Sequence, residues 1–325
     1  MDINVFLPRE FDTVLRVLRT ALQPDGTLNA TERSFLDTYA VICGRDTLRA
    51  DPLPIDPREV AIDGAHARKR LVQLSALAVL LSRPVRAPSL AFLKSLAAAL
   101  STHDAVIDVI DALAKGQRRK VRLLAMRRAM RVMLKEAYLA EGVMGVLRVP
   151  IAMLLKAPVN KDKLWNYKKL GLLSDGTLGR EYWKHMTQVG FGFPGDVAGI
   201  PDSIAYHDVA HVLADNDTTP LGEIQQGSFQ GGNRREDGFF FIQMVVLQFH
   251  QGVQVTPATG AVTGNFQPDK VLWAIHRGAR CNVDLTHQWN FWPLMTLPLA
   301  EARARVGLLP RLGVVPALPL VRRVA

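Results

Sequence analysis

The stretch YHDVAHVLADNDTTPLGE, residues 206–223, contains the candidate metal ligands around which the rest of the chain is organised. His207 and His211 stand four residues apart, so on a helix both imidazoles project from one face, one turn apart. Asp208 lies between them, and Glu223 follows a turn and opens the next predicted helix. Imidazole and carboxylate are ligands that zinc accepts. Manganese, iron or magnesium are favoured more strongly as occupants when the number of oxygen donors increases. The spacing predicts two successive helices that hold a metal site made by His207, Asp208, His211 and Glu223.

A plainer interpretation of the same residues stays open at this point. With eight histidines in 325 residues, one pair at this spacing can arise by chance. Asp208 could be solvated, and Glu223 could only complement the N-terminus of its helix. The spacing also departs from the zincin pattern, in which Glu follows the first His and acts as the base, because Asp208 holds that position.

Composition places the chain among ordinary globular proteins, with 48% hydrophobic and 22% charged residues, and the length suits two domains or one large one. Cys43 and Cys281 lie far apart and form no redox or ligand motif, which favours buried thiols of a cytoplasmic protein. The N-terminal residues lack the apolar core of a signal peptide, and no apolar run is long enough to predict a transmembrane helix. We expect a cytoplasmic location, with peripheral attachment to the inner membrane face as an option.

Hydrophobic spacing predicts an all-α fold in three parts, because no sustained alternation with a period of two appears. Residues 1–115 are predicted to form an N-terminal helical bundle of two similar hairpins, in which Asn29 and Glu32 have the form of a capping box. Residues 116–159 are a basic helical connector, and residues 160–325 form a helical domain. Within that last domain, later helices are predicted near residues 235–252, 268–280 and 285–306.

The connector carries most of the charge asymmetry of the chain. Nine basic residues and no acidic one stand between Lys115 and Lys135, against a net charge of +10 for the whole protein. The residues predicted to contact an anionic membrane surface are Arg127, Arg128 and Arg131. A separate apolar face comprises Leu123, Met126, Met130, Met133 and Ala137. A helix that packs on the core and exposes a solvated basic face explains the pattern equally well, and nucleic acid is not expected, because no aromatic residues are interleaved with the charges.

The C-terminal part resembles a known family in three segments. Residues 207–223 match the His-Asp-x-x-His…Glu metal signature of the coenzyme Q (ubiquinone) biosynthesis family named for the fourth Coq protein. Residues 175–182, DGTLGREY, are similar to a conserved upstream segment of that family, and residues 277–303 are similar to its C-terminal end. The chain departs from the family where residues 202–206 replace the usual Arg-Tyr-Arg-Asp run, and the N-terminal bundle is an addition.

This resemblance implies a divalent metal beside an apolar tunnel for a polyprenyl chain, with zinc expected first and iron, manganese or magnesium as alternatives. The implied activity is that of a metal-dependent lyase, which removes the C1 carboxylate of a polyprenylated 4-hydroxybenzoate and leaves a hydroxyl. The alternative is a non-catalytic, lipid-binding scaffold that organises other quinone-biosynthesis proteins. Arg180 and Tyr206 are predicted to contact the substrate ring, although buried Arg and Tyr are as often structural. A homodimer is left open.

The N-terminal bundle resembles the tellurite-resistance TerB-like helical family through residues 24–32, PDGTLNATE, and the repeated hairpin. Some members of that family bind metal through acidic residues, but the second hairpin here has SRPVR instead, so we do not expect metal there. The Asp25-Gly26 turn lacks the alternating oxygen ligands of an EF-hand. A stress-linked metal-binding protein is a third hypothesis, and it is suggested only by the resemblance of this bundle.

Overall fold

The computed structural model of the protein describes residues 1–132, 134–135, 138, 160–190, 192–197, 202–256, 259–287 and 289–311. Within these ranges all regular secondary structure is helical, which confirms the all-α prediction. The two isolated antiparallel bridges found there join Thr177 to Pro298 and Gln251 to Thr263. Met133, Ala137 and residues 139–159 of the predicted connector lie outside the described residues.

The α-helices follow one another along the chain, separated by turns and by short 3-10 segments. They are α1 (Phe11–Leu22), α2 (Ala30–Ile42), α3 (Ala65–Leu81), α4 (Ala87–Ala99), α5 (Val106–Ala114), α6 (118–132), α7 (Lys161–Lys168), α8 (Leu178–Val189), α9 (Asp202–Ala214), α10 (Pro220–Asn233), α11 (Phe239–Phe249), α12 (Pro268–Arg280) and α13 (Leu299–Arg305). Residues 134, 135 and 138, beyond α6, are also helical. The 3-10 segments are Pro8–Glu10, Pro57–Glu59, Lys169–Leu172 and Trp292–Leu294.

Two helix starts show why the sequence begins a helix where it does. At α2 the amide N–H of Glu32 donates to Asn29 Oδ1 and the amide N–H of Asn29 donates to Glu32 Oε2, both at 2.9 Å, which confirms the capping box. At α10 the hydroxyl oxygen of Thr219 accepts from the amide of Gly222 at 3.1 Å, with Pro220 at the first helical position. The cap by Thr219 fixes where α10, the helix that carries Glu223, begins.

The predicted helix over residues 285–306 is wrong for most of its length. Among the described residues of this stretch, the helical elements are the 3-10 turn Trp292–Leu294 and the short helix α13. Pro293 and Pro298 account for the difference, because proline lacks an amide hydrogen and disfavours helical backbone in the residue before it. By contrast, the helix predicted over 268–280 is confirmed as α12.

A continuous apolar core joins the N-terminal helices to the last third of the chain. One cluster of buried residues includes Leu18, Leu36 and Leu77 together with Val246 and Ile275. A second cluster lies around α8, α9 and the residues that follow α12. The first core thus continues across residue 115, while the domain boundary proposed there from the sequence stays a prediction.

Side chains after α11 satisfy the carbonyl groups that α3 leaves free at its end. The imidazole Nε2–H of His250 donates to the carbonyl of Leu81 at 3.0 Å, and Gln251 donates to the carbonyl of Leu80 at 2.6 Å. The last turn of a helix has no intrahelical donors for its carbonyls, so His250 and Gln251 supply the hydrogen-bond donors that the end of α3 lacks. His250 therefore serves in packing, between the end of α3 and the segment that follows α11.

Glycines let α10 approach its two neighbours very closely. A Cβ built on Gly232 would lie 2.0 Å from the carbonyl oxygen of Ile275, and one on Gly278 would lie 2.0 Å from that of Phe229. Both positions face backbone of the helix opposite, so α10 and α12 are in backbone contact. Gly227 meets the side chain of Val245 on α11 in the same way. This packing holds α10 on two sides.

None of the helices in the described ranges is both long and apolar enough to cross a bilayer.

Candidate metal centre

Three of the four predicted ligands converge between α9 and α10. The Nε2 atoms of His207 and His211 are 2.9 Å apart. Glu223 Oε2 lies 3.6 Å from Nε2 of His207, and Glu223 Oε1 lies 3.6 Å from Nε2 of His211. All three residues offer a ligand atom within 4.8 Å of the others. The arrangement follows from the four-residue spacing on α9 and from the capped start of α10, which directs Glu223 toward that face.

Hydrogen bonds behind the two imidazoles orient their Nε2 atoms toward Glu223. Nδ1 of His211 is 3.0 Å from the carbonyl oxygen of Asn216, which can only accept, so Nδ1 carries the proton. Nδ1 of His207 is 2.8 Å from Gln230 Oε1, which accepts in the same way. In its neutral form each ring therefore presents an Nε2 lone pair to the cluster. Such partners behind the ligands are typical of histidine metal sites.

The spacing of the donor atoms fits a divalent metal ion. Two ligands about 2.1 Å from a metal stand about 3.0 Å apart at right angles and about 3.4 Å apart at the tetrahedral angle. The separations here, 2.9 Å between the two Nε2 atoms and 3.6 Å from each to Glu223, lie near these values. Two lone pairs this close repel each other unless a proton or a cation lies between them. Glu223 adds the negative charge that stabilises a cation. Side-chain exposure is 1% for His211, 17% for Glu223 and 30% for His207, so the cluster is accessible from the His207 side.

Asp208 lies next to the cluster but outside the group of converging ligand atoms. Its side chain is buried, and Oδ2 has no hydrogen-bond partner among the described residues. Burial raises the pKa of this carboxyl to about 6, and the charge of Glu223 adds to the effect, opposed by His207. A buried carboxylate oxygen without a donor requires a proton or a cation. The role of Asp208 as a fourth ligand stays a prediction.

The charges and burial of the cluster shift the pKa values of the two histidines in opposite directions. Burial disfavours a charged His207, but the carboxylate of Glu223, 3.6 Å away, outweighs it and raises the pKa of His207 to about 9. Burial, followed by the positive charge of His207, lowers the pKa of His211 to about 3. Burial alone would raise the pKa of Glu223, yet His207 and the other nearby imidazoles lower it. Without a metal, the extra proton of the cluster therefore lies on His207, next to the carboxylate of Glu223.

Several neighbours of the site escaped the sequence analysis. Gln226 and Gln230 stand three and seven residues after Glu223, so helical spacing places them on its face of α10 and could have identified them. Gln226 accepts from the side chain of Asn216 at 3.0 Å. His185 on α8 stacks on His211 with ring centroids 5.5 Å apart. No spacing rule connects His185 to α9, because the contact depends on how α8 packs.

The two predicted substrate contacts occupy different surroundings. Arg180 donates to the carbonyl of Gly171 and to Asp175 Oδ1, the latter at 3.1 Å, and lies over the Trp183 ring at 4.9 Å from its centroid. Tyr206 precedes His207 on α9 and packs edge-on against Phe291, with ring centroids 5.8 Å apart. Tyr206 thus packs against an aromatic side chain outside the cluster, while Arg180 helps to hold the start of α8. Substrate contact by either residue stays a prediction.

The three arginines predicted to face lipid differ in their surroundings on α6. Arg128 is turned inward, where it donates to Gln243 Oε1 at 2.8 Å and lies 3.5 Å from Asp104 Oδ1. Arg127 and Arg131 are exposed and line an open cavity of about 480 Å³ on the flank of the helix. Only these two of the three present their charge to solvent. Lipid contact by any of them stays a prediction.

Comparisons of the chain with family models, with curated proteins and with solved structures returned no match. The resemblance to the coenzyme Q biosynthesis family therefore stays a prediction from the three sequence segments described above. At the positions of its metal signature, His207, His211 and Glu223 form a group that could hold a metal ion.

Proposed function

We propose that the protein is a divalent-metal enzyme whose centre is formed by His207, His211 and Glu223. The observation that carries this proposal is the convergence of two oriented Nε2 atoms and one carboxylate at a site that is open on one side. Three protein ligands with a remaining open position are typical of catalytic zinc sites, whereas structural zinc sites are closed by four. Asp208, whose buried Oδ2 has no hydrogen-bond partner among the described residues, is the candidate for a fourth donor.

The donor set favours a transition metal over magnesium. Two imidazole nitrogens suit zinc, iron or manganese, while magnesium binds mainly through carboxylates, phosphates and water. The backing bonds from His207 to Gln230 and from His211 to Asn216 keep both ligands in the required tautomer. Because His207 holds a proton in the metal-free protein, metal binding releases it to solvent. We place zinc first, with iron and manganese next.

For the reaction we propose C1 decarboxylation of a polyprenylated 4-hydroxybenzoate, with hydroxyl in place of the lost carboxylate. The three motif resemblances support this choice of substrate. The bound metal would supply a Lewis acid for the substrate oxygens. Replacement of carboxylate by hydroxyl is an oxidation, so the reaction needs an oxidant such as dioxygen. In the protein, His207 and Glu223 stand at the open side, where a substrate carboxylate would enter.

The first experiment measures metal content by mass spectrometry after gentle purification. About one equivalent of a transition metal is expected in the native chain, and His211→Ala should lose most of it. His66→Ala is the matched control, because His66 is an exposed histidine away from the cluster. Circular dichroism of both variants checks that the helices are retained. Equal metal content in the folded His211→Ala variant would refute the assignment of the site.

The second experiment tests the reaction itself. The metal-loaded protein is incubated aerobically with a polyprenylated 4-hydroxybenzoate, and the product is followed by mass spectrometry. A product that has exchanged carboxylate for hydroxyl, absent with His211→Ala, supports the enzyme. Tight binding of the same lipid without turnover by the metal-loaded protein would instead assign the chain to the scaffold alternative.

A further inference from the structure

Helix α6 presents apolar side chains to solvent on the side away from the core. Its inner side meets the protein through Val121 and Ala125, which are buried with Val109 and Leu247. On the outer side, Leu123 is 60% exposed and Met126 is 58% exposed. The two are three residues apart, so they lie side by side on one helical face. Tyr138, in the helical residues beyond α6, is 57% exposed as well.

The cations around this face divide into two groups. Of the nine basic residues from Lys115 to Lys135, four bind other parts of the protein. Lys115 pairs with Asp111 at 2.6 Å, and Lys135 pairs with Glu236. Arg118 donates to the carbonyl of Gly252 at 2.8 Å, and Arg128 donates to Gln243. The other five are exposed and have no hydrogen-bond or ion-pair partner within the described part of the chain. They are Arg119, Lys120, Arg122, Arg127 and Arg131. The internal contacts therefore leave a cluster of five unneutralised charges around Leu123 and Met126.

Helical geometry arranges these groups as an interfacial helix requires. At 100° per residue, Leu123 and Met126 stand at the crest, with Arg119 one turn earlier on the same face. Arg127 and Arg131 follow on one flank, and Arg122 lies on the other. A helix that lies in a membrane interface buries its apolar crest at the acyl boundary while neighbouring cations reach the headgroup phosphates. The cavity beside the helix is lined by five cations and three acids, so it keeps positive charge next to that crest. These lining residues are Lys69, Arg127, Arg128, Arg131 and Lys135, and Asp104, Asp108 and Asp237.

We propose that the outer face of α6, defined by Leu123, Met126 and the five free cations, docks the protein on an anionic lipid bilayer. A second copy of the chain fits poorly, because pairing two such faces would bring five cations against five. The face lies before residue 160, outside the segments that resemble the coenzyme Q biosynthesis family. It is independent of the metal chemistry proposed above, so either can fail without the other.

The test is co-sedimentation of the full chain with vesicles of phosphatidylcholine, with and without phosphatidylglycerol. Binding is expected only with phosphatidylglycerol, and it should weaken as salt is added. Arg127→Gln with Arg131→Gln should weaken it about 25-fold, at about fivefold for each cation. Arg9→Gln with Arg58→Gln is the charge-matched control on exposed arginines outside α6, and it should change binding less than about twofold.

The apolar part of the surface is tested by Leu123→Gln with Met126→Gln. These side chains are exposed, so the variant should fold normally while its vesicle binding falls at least about tenfold. Equal binding by this variant and the native chain would overturn the insertion of the crest. Equal binding to both kinds of vesicle, or none to either, would overturn the anionic bilayer as the occupant. A native dimer that this variant dissociates, with vesicle binding unchanged, would reassign the face to a second copy.

Discussion

The backbone contact between α10 and α12 makes Gly278→Ala the most informative single change in this fold. The added methyl would lie 2.0 Å from the carbonyl oxygen of Phe229 and 2.8 Å from the amide nitrogen of Asn233. Ordinary van der Waals contact begins near 3.4 Å, so the two helices must separate by about 1.4 Å at this point. Neither obstacle is a side chain that could rotate away.

The expected cost follows from two opposing effects. Overpacking of a core costs about 1–3 kcal/mol, and a collision with backbone belongs at the upper end. Replacing a helical glycine by alanine returns about 1 kcal/mol through helix propensity. We therefore expect Gly278→Ala to lower the free energy of unfolding by about 2 kcal/mol. Because α10 carries Glu223, the variant should also bind metal more weakly.

Urea unfolding followed by circular dichroism measures this change. Gly260→Ala is the matched control, because a methyl on Gly260 meets no atom within 4 Å and its backbone is not left-handed. That variant should unfold within about 0.5 kcal/mol of the native chain. The same small difference for Gly278→Ala would refute the close contact between α10 and α12.

Two further predictions concern buried polar groups. Gln230→Leu removes the acceptor behind His207 and should weaken metal binding about 10- to 100-fold. Competition with a chelator measures this affinity. An unchanged affinity would argue against an orienting role for Gln230. Burial, aided by Arg280, lowers the pKa of His276 from its ordinary value of 6.5 to about 4. The unfolded chain therefore takes up the proton first as the pH falls. The stability contributed by neutral His276 is thus present above about pH 6.5 and is lost as the pH falls toward 4, amounting to about 3 kcal/mol. His276→Asn should lose less stability than the native chain between pH 7 and pH 4.5 in urea unfolding, and parallel losses would contradict the assignment.

Local pattern was enough to predict the helical fold and several helix ends. The capping box at Asn29 and Glu32 and the proline at the start of α12 depend on residues adjacent in sequence, so they can be recognised without tertiary information. The same holds for His207 and His211, since a four-residue spacing on a helix brings two rings together in any fold. The helix predicted over residues 285–306 is wrong because Pro293 and Pro298 interrupt it.

Tertiary packing decided the rest. Helical periodicity states which residues share a face, but not which face meets the core, so α6 buries Arg128 against Gln243 and leaves Leu123 and Met126 outside. His185 reaches His211 only because α8 packs beside α9, and no spacing encodes that contact. The sequence by itself determined the helices and the ligand pair. The close approach of α10 to its neighbours, which places Glu223 opposite that pair, was decided by the tertiary structure, because burial and contact depend on chain segments distant in sequence.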